Sequence, residues 1–278
     1  MKHRPRVDRL LLGLHGLALL RGWPFGDPAE AAARIADIRE VAAGPGNETI
    51  EIDDPGMRAA YAVWSENYDE VPNALIDAEE PVLRALLAAI EPGRAIDAAC
   101  GTGRVSSILA DLGHDVLAVD PSPEMLDRAR DRRNGAAFIR GELDSLPVRS
   151  GSADLVVCAL ALTHVADLNA AIGELSRVAK PGGRVLLSDV HPVAVAMGAQ
   201  AMFVRRDGSR MVAHNQIHWP SAYLDAFSSA DLRVERAVEP PVDEAFVAAI
   251  SHPQIHAAAG ASLLGLPLAL IWSLRKDA

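Results

Sequence analysis

Between residues 94 and 190 the chain alternates short apolar runs with amphipathic ones, and no other feature narrows the fold as far. Residues 94–100, 114–120, 137–140, 154–160 and 184–190 read as strands with almost no polar face. Residues 104–112 and 168–179 read as helices, and a third helix opens at Ser122-Pro123, a capping serine followed by proline at the first turn. Strands that are apolar on both sides need helices on both faces of the sheet, which requires a mostly parallel, doubly wound α/β fold. Residues 232–238 and 266–272 supply a sixth and a seventh strand. Sheets of this kind take their ligands beyond the carboxyl ends of the strands, where the strand order reverses.

Composition removes several alternatives. With 278 residues, 50 % hydrophobic and 23 % charged, the chain can bury a sizeable core and is not a disordered polymer. No run of about 18 apolar residues is present, so no membrane-spanning helix is expected. Lys and Arg number 27 against 37 acids, a net charge of −10, which disfavours nucleic acid as a partner. Two cysteines, Cys100 and Cys158, are too few for a disulfide framework and point to a reducing, cytoplasmic setting.

The first nine residues are basic and residues 10–20 apolar, as at the start of a secretory leader. Gly13, His15 and Gly16 interrupt the run, however, and no small-residue cleavage site follows. A short buried helix is the expectation. Asp27-Pro28 opens a second helix through Ala43, and Asn47-Glu48-Thr49, formally a glycosylation sequon, reads as a loop. The expected organisation is a helical extension over 1–55 and one domain over 56–278, with an insertion at about 192–220. Met197, Met202, Phe203, Met211 and Trp219 would make that insertion an apolar roof over an acceptor pocket.

The chemistry gathers at the first two strand ends. Gly101-Thr102-Gly103 follows one strand and precedes a helix, so a ligand can approach the backbone closely and meet free helix N–H groups. Asp120, 23 residues beyond Asp97, ends the next strand, where a carboxylate can accept both hydroxyls of a ribose. A dinucleotide fingerprint wants a third glycine three residues after Gly103, and Ser106 stands there, which counts against NAD.

These residues resemble known motifs. Residues 97–103 (Asp-Ala-Ala-Cys-Gly-Thr-Gly) are similar to motif I of class I S-adenosylmethionine (SAM)-dependent methyltransferases, and 119–126 to their second motif. Residues 141–147, 154–165 and 174–183 resemble the remaining ones in order, nearest to small-molecule enzymes of the menaquinone-methyltransferase type. The resemblance implies a Rossmann-like methyltransferase fold whose last strand runs antiparallel, with SAM as cofactor. It further implies that Asp97, Ala99, Cys100, Gly101 and Gly103 line the methionine end. Asp120 would hold the ribose, Pro121 and Met125 would flank adenine, and Glu142 and Leu143 would lie near its amino group. Cys158 would end the fourth strand beneath the sulfonium. Ala99 stands where the family has glycine, and Glu142 where aspartate is more frequent.

His191, after the fifth strand, His164, in the fourth motif, and Tyr68 are the candidates for proton transfer or acceptor contact. Tyr61 is a candidate for a ring over the sulfonium, or equally for core packing with Trp64. The spacings His214-x3-His218 and His252-x3-His256 lack a third ligand and are not read as a metal site. The reading is a SAM-dependent methyltransferase acting by direct displacement on a small, partly apolar acceptor, with a homodimer admitted as an assembly. An NAD-dependent oxidoreductase and a non-catalytic SAM-binding subunit are the alternatives.

Overall fold

The computed structural model describes residues 1–46, 48–132 and 135–278. The first residue of the sequon, Asn47, lies outside the described residues. The chain forms two compact units, Met1–Asp54 with Pro241–Pro267, and Pro55–Pro240 with Leu268–Ala278. The domain expected over 56–278 is thus interrupted, because residues 241–267 group with the N-terminal segment.

In the first unit β1 (Lys2–His3) pairs with β2 (Ile52–Asp53). Between them lie α1 (Val7–Gly22) and α2 (Pro28–Ala43), the latter capped by Asp27, whose carboxylate accepts the Ala29 N–H at 2.8 Å. Leu11, Leu14 and His15 of α1 are buried, as expected for a core-facing helix.

The second unit begins with α3 (Met57–Trp64) and α4 (Ala74–Leu87). There follow β3 (Arg94–Ala98), α5 (Arg104–Asp111), β4 (Asp115–Asp120), α6 (Pro123–Asp131), β5 (Ala137–Arg140), β6 (Ala153–Ala159), α7 (Leu168–Val178) and β7 (Ala179–Val190). Next come α8 (Pro192–Ala196), the hairpin β8 (Ala201–Val204) and β9 (Arg210–Ala213), α9 (Pro220–Ser229) and β10 (Leu232–Val238). The helices α10 (Glu244–Ala248) and α11 (Pro253–Leu263) return to the first unit, where α11 packs on α1 and its Ser262 and Leu264 carbonyls receive the Arg21 guanidinium. The last strand, β11 (Ala269–Lys276), completes the second unit. It starts three residues later than expected, and Pro267, which has no N–H to give a ladder, lies just before it.

Seven strands form one sheet in the order β10-β11-β7-β6-β3-β4-β5. The inner strands pair in parallel, and β11 runs antiparallel to both neighbours. The order reverses between β3 and β6. Alternation along each strand sends successive side chains to opposite faces. Leu155 and Val157 therefore join Leu83, Leu87, Ile108 and Leu109 under α4 and α5, while Val156 and Cys158 join Ile172, Leu175, Phe227 and Trp272 under α7 and α9. Each fully buried aliphatic side chain contributes roughly 1.5–3 kcal/mol. The same parity matters for function: Ala95 packs under α4 and α5, so Asp97, two residues on, points to that face. Among the described residues no helix is long and apolar enough to cross a membrane.

Candidate active site

At the carboxyl ends of β3, β4, β5 and β6 a cavity of about 720 Å³ opens. Its floor is the turn after β3. Gly101 takes φ 54° and Gly103 φ 80°, both in the left-handed region where glycine is at ease. Ala99 adopts φ 58°, a conformation that costs an L residue roughly 1–2 kcal/mol, so this alanine is held under strain. Two carboxylates brace the loop. Asp120 accepts the Gly101 N–H at 2.8 Å on one oxygen and the Ser122 N–H at 2.9 Å on the other, which leaves each oxygen a lone pair for a further donor. Asp97 accepts the Ser106 hydroxyl at 2.6 Å. From outside, Asp69 accepts the Thr102 hydroxyl at 2.8 Å, and Arg132 donates to the Thr102 carbonyl at 2.6 Å while pairing with Asp69.

Burial raises the Asp97 carboxyl to about 6, and the Ser106 bond opposes the rise only in part. Burial also pushes Asp120 up, against its two backbone donors. Both are carboxylates short of water, the condition in which a cationic or hydroxyl-bearing ligand is favoured.

One wall comes from α3 and the turn after it. Tyr61, Tyr68, Met57 and Arg58 line the cavity, and Arg58 forms an ion pair with Glu142 on the opposite wall. The 3-10 turn Leu162–His164 after β6 supplies His164. The Tyr61 hydroxyl lies 2.6 Å from His164 Nε2, and His164 Nδ1 lies 3.1 Å from the His214 carbonyl. The carbonyl can only accept, so Nδ1 carries the proton and Nε2 receives the Tyr61 O–H. Burial lowers the basicity of His164 and raises the Tyr61 and Tyr68 phenols.

The cavity brings together Asp97, Ala99, Cys100, Gly101, Asp120, Pro121, Met125, Glu142, Leu143, Tyr61, Tyr68 and His164. Three expected residues are outside its wall. Gly103 shapes the turn, but a Cβ there would meet Ala129, not the cavity. Cys158 points into the sheet core and is fully buried, with burial holding its thiol protonated. His191 caps α8, accepting the Val193 N–H on Nδ1 at 3.2 Å, with Nε2 3.2 Å from Glu239. The insertion at 192–220 does not roof the cavity either. Phe203 stacks on Trp64 with ring centroids 4.5 Å apart, and Met211 joins the same cluster, so the hairpin backs the helix that forms the wall. Met197, Met202 and Trp219 stay exposed. Of the other histidines, His218 bonds the Val165 carbonyl, His252 caps α11 and His256 bonds the Val247 carbonyl.

Two groups at the site were not anticipated. Ser106, read only as a missing glycine, holds Asp97. Arg104, lining the cavity at the first residue of α5, is clamped by the fully buried Glu79 at 3.0 Å and by Glu80 at 2.9 Å; Glu79 in turn accepts the Ser188 hydroxyl at 2.6 Å. A buried acid at position 79, in an otherwise amphipathic helix, was the available signal.

Residues 96–187 match a family model described as a methyltransferase domain. The chain is 32 % identical to the malonyl-[acyl-carrier protein] O-methyltransferase of Serratia marcescens over 143 residues, 51 % of this chain and 54 % of that protein. It is 39 % identical to the demethylmenaquinone methyltransferase of Beutenbergia cavernae over 109 residues, 38 % of this chain and 45 % of that one. The chain thus spans about half the length of the curated relatives it matches. Among solved structures, the SAM-dependent methyltransferase from Mesorhizobium loti superposes with a TM-score of 0.56 at 26 % identity, covering 72 % of this chain and 98 % of its own. The matched segment contains the glycine turn, both strand-end carboxylates and His164, so the likeness to a methyltransferase domain falls on the residues that build the site.

Proposed function

We propose that the chain transfers the methyl group of SAM to a small, partly apolar acceptor within this cavity. The observation that carries the reading is the pair of carboxylates Asp97 and Asp120 set around an open glycine turn at the switch point of the sheet. The residues fit the cofactor. A Cβ built on Gly101 meets nothing within 4 Å, so the turn leaves its face open. Asp120 keeps lone pairs for a ribose diol, and Asp97 keeps charge for an ammonium. SAM supplies a methyl group on a sulfonium that leaves as a neutral thioether. The protein's tasks are then to align the acceptor and to exclude water. Tyr61 and Tyr68, both packed against the Trp64 ring, give that wall of the cavity an aromatic lining suited to a cationic centre. The remaining lining, with Leu143, Val165, Ala161 and Ala62, favours an acceptor with apolar surface.

Calorimetric titration with SAM, S-adenosylhomocysteine and NAD tests the reading. Binding of the first two, abolished in Asp120→Ala, is expected. Binding of NAD alone, or of none of the three, would overturn it.

A further inference from the structure

Resting on that reading, we infer that Tyr61 and His164 form a proton relay, and that the acceptor is a neutral molecule that presents an acidic O–H, of the phenol or enol class, to Tyr61. The relay is built from elements far apart in the chain. Tyr61 sits on α3 and His164 in the turn after β6, and both face the cavity. Their 2.6 Å contact has one sense of donation, because the His214 carbonyl fixes the proton on Nδ1. The Tyr61 oxygen therefore has its own proton committed to Nε2 and its lone pairs left for an incoming donor. Lowered basicity keeps His164 neutral before reaction, and a sulfonium nearby would hold it there.

The step balances. The acceptor O–H bond breaks as its proton passes to the Tyr61 oxygen and the Tyr61 proton passes to His164 Nε2. The freed oxygen pair forms the new O–CH3 bond, and the C–S pair remains on sulfur. The positive charge lost at sulfur reappears on the imidazolium, so the site neither gains nor loses charge in the transfer.

Charge in the wall selects the acceptor class. An anionic acceptor needs a cation, yet Arg58 is paired with Glu142 and Arg104 with Glu79 and Glu80. Arg140 ends β5, with its Nε–H on the Pro121 carbonyl. That strand is three places from β6 in the sheet, roughly 14 Å from the strand that leads to His164. A cationic acceptor would meet the sulfonium's like charge.

The test uses 4-nitrophenol as probe on the full chain saturated with S-adenosylhomocysteine, whose binding is checked calorimetrically in the same samples. The wild type is expected to bind the probe and to raise its phenolate absorbance at a pH below its solution pKa. Tyr61→Phe, which keeps the ring, should bind it roughly tenfold more weakly. His164→Gln keeps an acceptor for the Tyr61 proton but no base, and should bind the probe without the phenolate band. Equal binding by wild type and Tyr61→Phe, no binding by the wild type, or tighter binding of monomethyl malonate or benzylamine at the same site would overturn the inference while leaving the cofactor site standing. Failure of S-adenosylhomocysteine to bind would remove the underlying reading as well.

Discussion

Replacing Gly101 by alanine separates the ligand-facing part of the glycine turn from the part that holds the fold. At φ 54° the substitution costs roughly 1–2 kcal/mol of backbone strain, offset by about 0.4–1 kcal/mol of reduced unfolded-state entropy. The net loss is about 1 kcal/mol, or roughly 2–4 °C in melting temperature for a unit of this size. Nothing within 4 Å meets the new methyl group, and Ala99 shows that this loop carries an alanine at φ 58°. The methyl group instead occupies space reserved for the ligand, where overpacking costs roughly 1–3 kcal/mol, an affinity loss of about 5- to 150-fold. The assay is thermal unfolding with and without SAM. At a hundred times its dissociation constant SAM stabilises the wild type by about 2.7 kcal/mol, and after a 30-fold loss by only about 0.9 kcal/mol. Gly103→Ala gives the opposite pattern. Its methyl would press on the Ala129 Cβ at 3.1 Å at φ 80°, so stability falls further while the ligand-dependent shift survives in the folded fraction. A Gly101→Ala protein that gains as much stability from SAM as the wild type would refute the reasoning.

Other perturbations read out the carboxylates and the wall. Protonation of Asp97 near pH 6 should weaken SAM binding below that pH, with proton release on binding seen by calorimetry in buffers of different ionisation enthalpy; a flat profile from pH 5 to 8 would contradict it. Asp97 and Asp189 have native pKa values raised to about 6 and about 7, above the unfolded carboxylate value. The native state therefore binds the extra protons, and ligand-free stability should fall as pH rises from about 4 through 7, as denaturant titrations would show. Ser106→Ala removes a donor that lowers the Asp97 pKa, so the acid edge of SAM binding should move to higher pH, with about 1 kcal/mol of stability lost. Trp64→Ala should cost roughly 3–5 kcal/mol and loosen α3, measured as lost protection of its amides from hydrogen exchange.

What the sequence made legible was whatever depends on neighbours along the chain. The doubly apolar strands, the Ser122 cap and the strand-end positions of Asp97 and Asp120 are local, and they lead directly to the sheet and its switch point. Ser106 was half legible. It stands on the buried stripe of α5 beside Val105 and Ile108, and strand parity turns Asp97 toward that helix, so their bond follows once both facts are set side by side. The Tyr61–His164 contact joins residues 103 positions apart and depends on where α3 settles, which no local pattern states. The hairpin at 201–213 went astray for a related reason. Its apolar residues suited a roof, but Phe203 and Met211 found the Trp64 ring instead, and a strand pattern does not name its partner. His191 was ambiguous because a cap on α8 and a place at the rim look alike in sequence.

The central claim is that SAM belongs in the cavity between the glycine turn and α3. A crystal structure of the complex with S-adenosylhomocysteine tests it most directly. The account predicts the ribose hydroxyls on Asp120, the amino-acid end against Asp97 and Gly101, and the sulfur facing Tyr61 and His164. Density for the ligand elsewhere, with this cavity holding only solvent, would contradict it.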